Sequence, residues 1–201
     1  MSVQIYKPQN KLTLTVKDVL YYAKASGSND LTLADMAEKA AVQCLEVAAP
    51  CLVYRYLAID TVDATGVMLD NGCRLDGKLI LKYLSDCCGA YVVAATIGMS
   101  VDRYIKKNGL QSRTEGLFAA AAGSAAVESL LDDFMLTLPK EKMCKPRISP
   151  GFGDFDLANQ KTIFKILDVT KMLGVCLNDS LLMSPSKSVS AIIGCRKDIV
   201  C

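Results

Sequence analysis

Eight consecutive residues near the middle of the chain, Ala119-Ala120-Ala121-Ala122-Gly123-Ser124-Ala125-Ala126, carry almost no side-chain bulk. They sit inside a helical pattern predicted over residues 111–138, a context in which alanine is the most favourable residue. A helix this bare cannot fill space by itself. Another backbone, or a ligand, must come close to its axis. Glu128 lies one turn beyond Ser124 and one turn before Asp132, so it can share the inward side. A buried carboxylate is costly unless it is paired, which singles Glu128 out. The ordinary alternative is a solvated surface glutamate.

The helical pattern is followed by Lys145-Pro146-Arg147-Ile148-Ser149-Pro150-Gly151-Phe152-Gly153. Two prolines and two glycines in nine residues cannot continue a helix, so this is a shaped connection. Its chemistry suits an anion: a planar guanidinium, then backbone amides that glycine leaves approachable. Read on spacing alone, an ordinary inter-helix loop is the commoner outcome.

Composition removes several function classes. The 201 residues fit one domain or two small ones, with 51% apolar and 22% charged residues and a net charge of +2. The absence of a basic stripe argues against a nucleic-acid partner. No run of eighteen uncharged apolar residues suggests a membrane span. Residues 1–10 are polar and lack the apolar region of a signal peptide, so a cytoplasmic location is expected.

Histidine is missing altogether. Ser-His-Asp and Cys-His mechanisms are therefore excluded, and catalysis would need carboxylates, lysine, tyrosine or a borrowed cofactor. Nine cysteines form no CxxC pair, and most lie in apolar runs, where cysteine acts as a small hydrophobe. Zinc and a disulfide framework are both poorly supported, and inert thiols are expected. The terminal Cys195-x5-Cys201 spacing is the one exception to watch.

Along the chain, Thr15 is expected to cap a helix through about Ala25, and Thr32 a second one that Pro50 ends. Residues 51–59 and 66–69 read as strands, and Asp76 as a helix start. Residues 90–97, a continuous apolar run, read as a strand buried on both faces. A helix follows from Ser100. Asp156 is expected to cap a helix to about Leu173, stopped by Gly174. Strands at 175–183 and 189–195, joined by 184–188, close the chain. The pattern predicts an α+β fold, a single domain over 1–201, with helices packed on a mainly antiparallel sheet.

At this point a family resemblance emerges. Arg147-x-x-Pro150-Gly151-Phe152 is followed by Ile163-Phe164-x-x-Leu167, by Gly174-Val175-x-Leu177-x-Asp179-Ser180, and by Met183-x-Pro185-x-x-Ser188-Val189-Ser190. Together these resemble the activation (reactivation) domain of cobalamin-dependent methionine synthase, here as a stand-alone chain. Weaker similarity covers the alanine-rich helix with Glu128, the strand ending Ala95-Thr96-Ile97-Gly98, and residues 50–56.

The resemblance implies a domain that binds S-adenosylmethionine and docks on the cobalamin-binding domain of methionine synthase. There, an electron from a flavodoxin-like donor and the methyl group of S-adenosylmethionine would restore oxidised cob(II)alamin, the cobalamin being carried by the partner. The chain would be an accessory unit whose reactive groups belong to the cofactors. Arg147 would bind the ligand carboxylate and Glu128 its ammonium, with Ser149, Pro150 and Gly151 at the adenosine end and Phe152 lining the pocket. The family's tyrosine is Phe152 here, and Gly153-Asp154-Phe155-Asp156 replaces a Cys-Pro-acidic-His sequence. A ligand-contacting aspartate of the family falls near Val47 and Ala48, leaving Glu46 as its neighbour. Two other readings stand beside this one. One is a corrinoid-protein docking or chaperone module that has lost S-adenosylmethionine binding. The other is an independent methyltransferase, for which the expected Gly-rich loop after a first strand is missing.

Overall fold

Strand β5 (Cys87–Thr96) sets the architecture, because every residue in it except Cys88 is buried. Side chains alternate across a strand, so its two faces feed two separate cores. Tyr91, Val93 and Ala95 join one, while Ala90, Val92 and Ala94 join the other. The structure, a computed structural model, describes residues 2–28, 30–139 and 143–196.

Two long strands flank β5, both antiparallel to it: β2 (Cys51–Val62) and β8 (Ser188–Arg196). The far edge of β2 is shared. β1 (Gln4–Tyr6) pairs with its first half, and β3 (Gly66–Leu69) with its second half, past an irregularity between Ile59 and Thr61. β4 (Arg74–Asp76) completes the order β4-β3-β2-β5-β8. Every strand pair among the described residues is antiparallel. This is the expected α+β arrangement and not the doubly wound parallel sheet that an independent methyltransferase reading called for.

Four helices cover the Tyr91 face: α1 (Val16–Tyr22), α2 (Leu31–Val47), α4 (Met99–Gln111) and α5 (Arg113–Thr137). Here the bare centre of α5 finds its explanation. A Cβ added at Gly123 would lie 3.0 Å from Lys187 Cγ and 3.2 Å from Val101 Cγ1. One added at Gly116 would lie 2.6 Å from the Cα of Gly109, so the backbones of α4 and α5 touch. The opposite face is covered by α3 (Lys78–Leu84), α6 (Asn159–Leu167) and α7 (Val169–Leu173), together with Phe155. A separate two-stranded ribbon is made by β6 (Cys176–Leu177) and β7 (Met183–Ser184).

Several boundaries differ from the sequence expectation, each for a local reason. Thr15 caps α1 as expected, in a reciprocal box with Asp18. The cap of α2 is Asp30 and not Thr32, since the Asp30 carboxylate accepts the Thr32 N–H at 2.8 Å. Ser112 divides the predicted 111–138 helix from the end of α4. Asp168, in the left-handed region at φ 50°, splits the predicted 156–173 helix into α6 and α7. The predicted strand 175–183 shrinks to β6 and a turn in which the Asn178 side chain accepts the N–H groups of Ser180 and Leu182. Asp76 ends β4 instead of starting a helix. The first amides of α3, those of Lys78 and Leu79, are capped by the Asp154 carboxylate at 3.2 and 2.7 Å.

Candidate functional site

The connection after α5 is anchored before it turns. Lys145 N–H donates to Gly194 O at 2.8 Å, and Ile148 and Ile192 exchange both backbone bonds at 2.9 and 2.8 Å. Cys144 lies opposite Cys195 in the same antiparallel pairing. Residues 144–148 therefore run along the outer edge of β8. Neighbouring side chains on such a segment point to opposite sides. Ile148 packs into the core on the Val92 face, which turns Arg147 toward α5.

Arg147 meets two carboxylates one helical turn apart. Its Nη2 donates to Glu128 Oε2, and its Nη1 donates to Asp132 Oδ1 at 2.6 Å and lies 3.5 Å from Met135 Sδ. The Arg147 side chain is 22% exposed, Glu128 31% and Asp132 68%. Burial by itself lowers the pKa of the guanidinium, but hydrogen bonds from Glu128 and Asp132 outweigh it and the net shift is upward. Arg147 is a fixed cation. Nearby, burial and then the Glu128 charge push the Tyr22 hydroxyl up. Asp132, Met135, Cys144, Pro146 and Arg147 line a surface depression of about 530 Å³. A cation lining such a depression, with carboxylates beside it, suits a zwitterion better than a simple anion.

Beyond Arg147 the chain folds into a tight loop. Gly151 takes φ 96°, a conformation that L side chains rarely adopt. Its N–H donates to Phe155 O at 2.7 Å, while Phe155 N–H donates to Phe152 O at 2.9 Å. Pro150 is buried, Ser149 half-buried and Gly151 exposed. The Phe152 ring is 67% exposed and is not among the residues lining the depression, whereas Phe155 is fully buried and anchors the loop. Residues 153–156, where the family sequence is absent, thus have structural work. Asp154 caps α3, Phe155 fills the core, and the Asp156 carboxylate accepts the Ala158 N–H at 2.6 Å.

Of the residues singled out from sequence, the structure brings Arg147 and Glu128 together and places Ser149, Pro150, Gly151 and Phe152 in the loop that follows. Glu46 lines a different depression, with Lys11, Leu12, Val42, Leu45, Ala48 and Pro50. Met135 and Cys144 were missed as site residues. The spacing Glu128, Asp132, Met135 is a helical face and could have shown the first. Cys144 carries no such signal, because only the pairing with β8 brings it to the site. Cys201 lies outside the described residues. Among the described residues no group of histidine, cysteine and carboxylate side chains could hold a metal, and no helix is long and apolar enough to cross a membrane.

The sequence matches no family model and no curated protein. The fold is nonetheless similar to that of the MetH reactivation domain seen in a crystal structure bound to AdoHcy. The TM-score is 0.68 at 15% identity, and the match covers 98% of this chain and 79% of that one.

Proposed function

We propose that this chain is an activation-type module that binds the amino-acid end of S-adenosylmethionine at Arg147 and Glu128 and docks on the cobalamin-binding domain of a methionine synthase. The observation that carries the reading is the Arg147–Glu128 pair, with Arg147 in the wall of a depression, in a fold shared with a domain that binds AdoHcy. AdoHcy and S-adenosylmethionine share a carboxylate, an ammonium and an adenosine. The pair already imitates that zwitterion. The exposed Asp132 holds the place of a ligand carboxylate against Arg147, and Arg147 holds the place of an ammonium against Glu128.

On this reading the ligand carboxylate displaces Asp132, the ammonium bonds Glu128, and the adenosine lies toward Ser149, Pro150 and Gly151. The bound ligand supplies a methyl group, and this chain's residues hold and orient it. The cobalamin and a flavodoxin-like electron donor belong to the partners. A charge-assisted bond contributes about 1.5–3 kcal/mol, so Arg147→Ala should weaken S-adenosylmethionine roughly tenfold or more. Isothermal titration giving an unchanged affinity would remove Arg147 from the site.

A second reading, a corrinoid-protein docking or chaperone module without S-adenosylmethionine binding, is favoured by one feature: Glu128 and Arg147 already satisfy one another. Thermal-shift titration separates the two, since a ligand that binds only the native state raises the melting midpoint. A rise with millimolar S-adenosylmethionine supports the first reading. A flat response supports the second.

A further inference from the structure

Cys144, half-buried, lines the depression beside Arg147. Directly behind it on β8 stands Cys195, fully buried, with the two Sγ atoms 3.2 Å apart. Both are thiols in this structure. Their backbones are opposed in an antiparallel bridge. Opposed residues in such a pair have Cα atoms about 4.5–5.5 Å apart, inside the roughly 4.4–6.8 Å that a disulfide spans. Next to the pair, Lys145 N–H bonds Gly194 O, and further along the Ile148–Ile192 exchange anchors the same segment on β8. Closing the bond needs side-chain rotation and no backbone rearrangement.

The other buried thiols contrast with this pair. Cys44 is surrounded by α-helical core and burial pushes its pKa up to about 11. Cys87 is also raised by burial, and its sulfur sits near Tyr83 O and Asp86. The Cys144–Cys195 pair instead has one member open to a solvent-filled depression and one enclosed behind it.

We infer that Cys144 and Cys195 form a reversible disulfide, a modification site built into the wall of the arginine depression, with a small-molecule disulfide of the glutathione class as oxidant. The Cys144 thiolate attacks one sulfur of the oxidant, forms a mixed disulfide and releases one thiol. Cys195 then attacks Cys144 Sγ, its proton passing to the departing thiolate, forms the protein disulfide and releases the second thiol. Two protein thiols are oxidised and one external disulfide is reduced to two thiols. The order follows from access, because Cys195 is fully buried and Cys144 is not. The bond joins positions 51 residues apart and ties the segment that carries Arg147 to β8. The inference does not depend on which ligand, if any, the depression binds.

The test uses the whole chain. It is incubated with oxidised glutathione, blocked with an alkylating agent and digested with trypsin. The expected product is the 143–147 peptide joined to the 188–196 peptide, lighter by two hydrogens than the separate thiols. The melting midpoint should rise by roughly 5–10 °C and return on adding dithiothreitol. Cys144→Ser should abolish both the joined peptide and the rise, whereas Cys88→Ser should abolish neither. Glutathione retained on Cys144 without the second exchange would overturn the inference. So would a bond from Cys195 to Cys88 or Cys201, or no joined peptide at all. Cys144 is half-exposed, so its serine variant keeps the core intact, and the peptide map of the unsubstituted chain decides the matter without any variant.

Discussion

Two arginines in this molecule each hold a pair of carboxylates, and the contrast between them shows what distinguishes a site from a staple. Arg74 bonds Asp63 through Nη1 at 2.7 Å and Asp76 through Nε at 2.6 Å, with Thr65 as a further partner. All of these partners lie within 11 residues, in the β2–β3 turn and on β4. Arg147 reaches instead from a loop across to a helix, to partners 15 and 19 residues back. Its side chain is the less exposed of the two, at 22% against 28%. The decisive difference is what surrounds them. Arg74 ties a solvated turn together, while Arg147 forms part of the wall of a depression with Met135 and Cys144. The same chemistry clasps local backbone in one place and presents a cation to an incoming molecule in the other.

The largest effect that would sharpen this contrast is on stability. Arg147→Ala leaves Glu128 half-buried without its cation and should cost about 1–3 kcal/mol, read as a lower denaturation midpoint in urea. Arg74→Ala, whose carboxylates stay hydrated, should cost visibly less. Equal losses would erase the distinction.

Arg147→Lys comes next. A single ammonium lacks the two separated, planar N–H groups that Nη1 and Nη2 present to Asp132 and Glu128, so roughly 1 kcal/mol should be lost despite the conserved charge. A neutral outcome would mean that the fork at Glu128 and Asp132 is unimportant.

A smaller effect concerns pH. The guanidinium of Arg74, with Thr65 helping, holds the Asp63 carboxyl below the usual carboxylate range. A depressed folded-state pKa gives stability that is fully present above the unfolded value, near about 4, and lost as pH falls through the folded value. The difference in melting midpoint between the unsubstituted chain and Asp63→Asn should therefore be constant from neutral pH down to about 4 and shrink below it. A gap that persists at lower pH would assign the effect to something other than this charge.

The smallest effect is salt. Raising ionic strength shortens the screening length to about 3 Å at 1 M. Denaturation midpoints with and without salt should show Asp63→Ala losing more of its effect than Glu128→Ala. The reverse order would place the more enclosed pair at Arg74.

The elements that could be read from sequence are those whose reason is local. The β5 run from Ala90 to Ala95 is apolar because both its faces are covered, and the bulk-free centre of α5 announces close approach by Lys187 and Val101. Thr15 and Asp18 carry their cap within four residues. Illegible were the features decided at a distance. β1 is three residues long and exists only because β2 offers it an edge. Phe152 and Phe155 are three apart and equally aromatic, yet the turn at Gly151 buries the second and exposes the first. Glu128 drew attention as a carboxylate needing a partner, and Arg147 as a cation in a shaped loop. That each is the other's partner follows from the anchoring of 144–148 on β8, which no short-range pattern encodes.

The cap of α3 has a consequence for the order in which the chain takes shape during synthesis. A seven-residue helix does not hold in water by itself. Its first amides wait for a carboxylate that lies 75 residues downstream. At about 5–20 residues per second, a translating ribosome delivers Asp154 some 4–15 s after Leu79. For that interval the face of β5 that α3 will cover has no lid, and a chain released before residue 154 never acquires one. The loop that carries the candidate site is thus also a fastening of the second core.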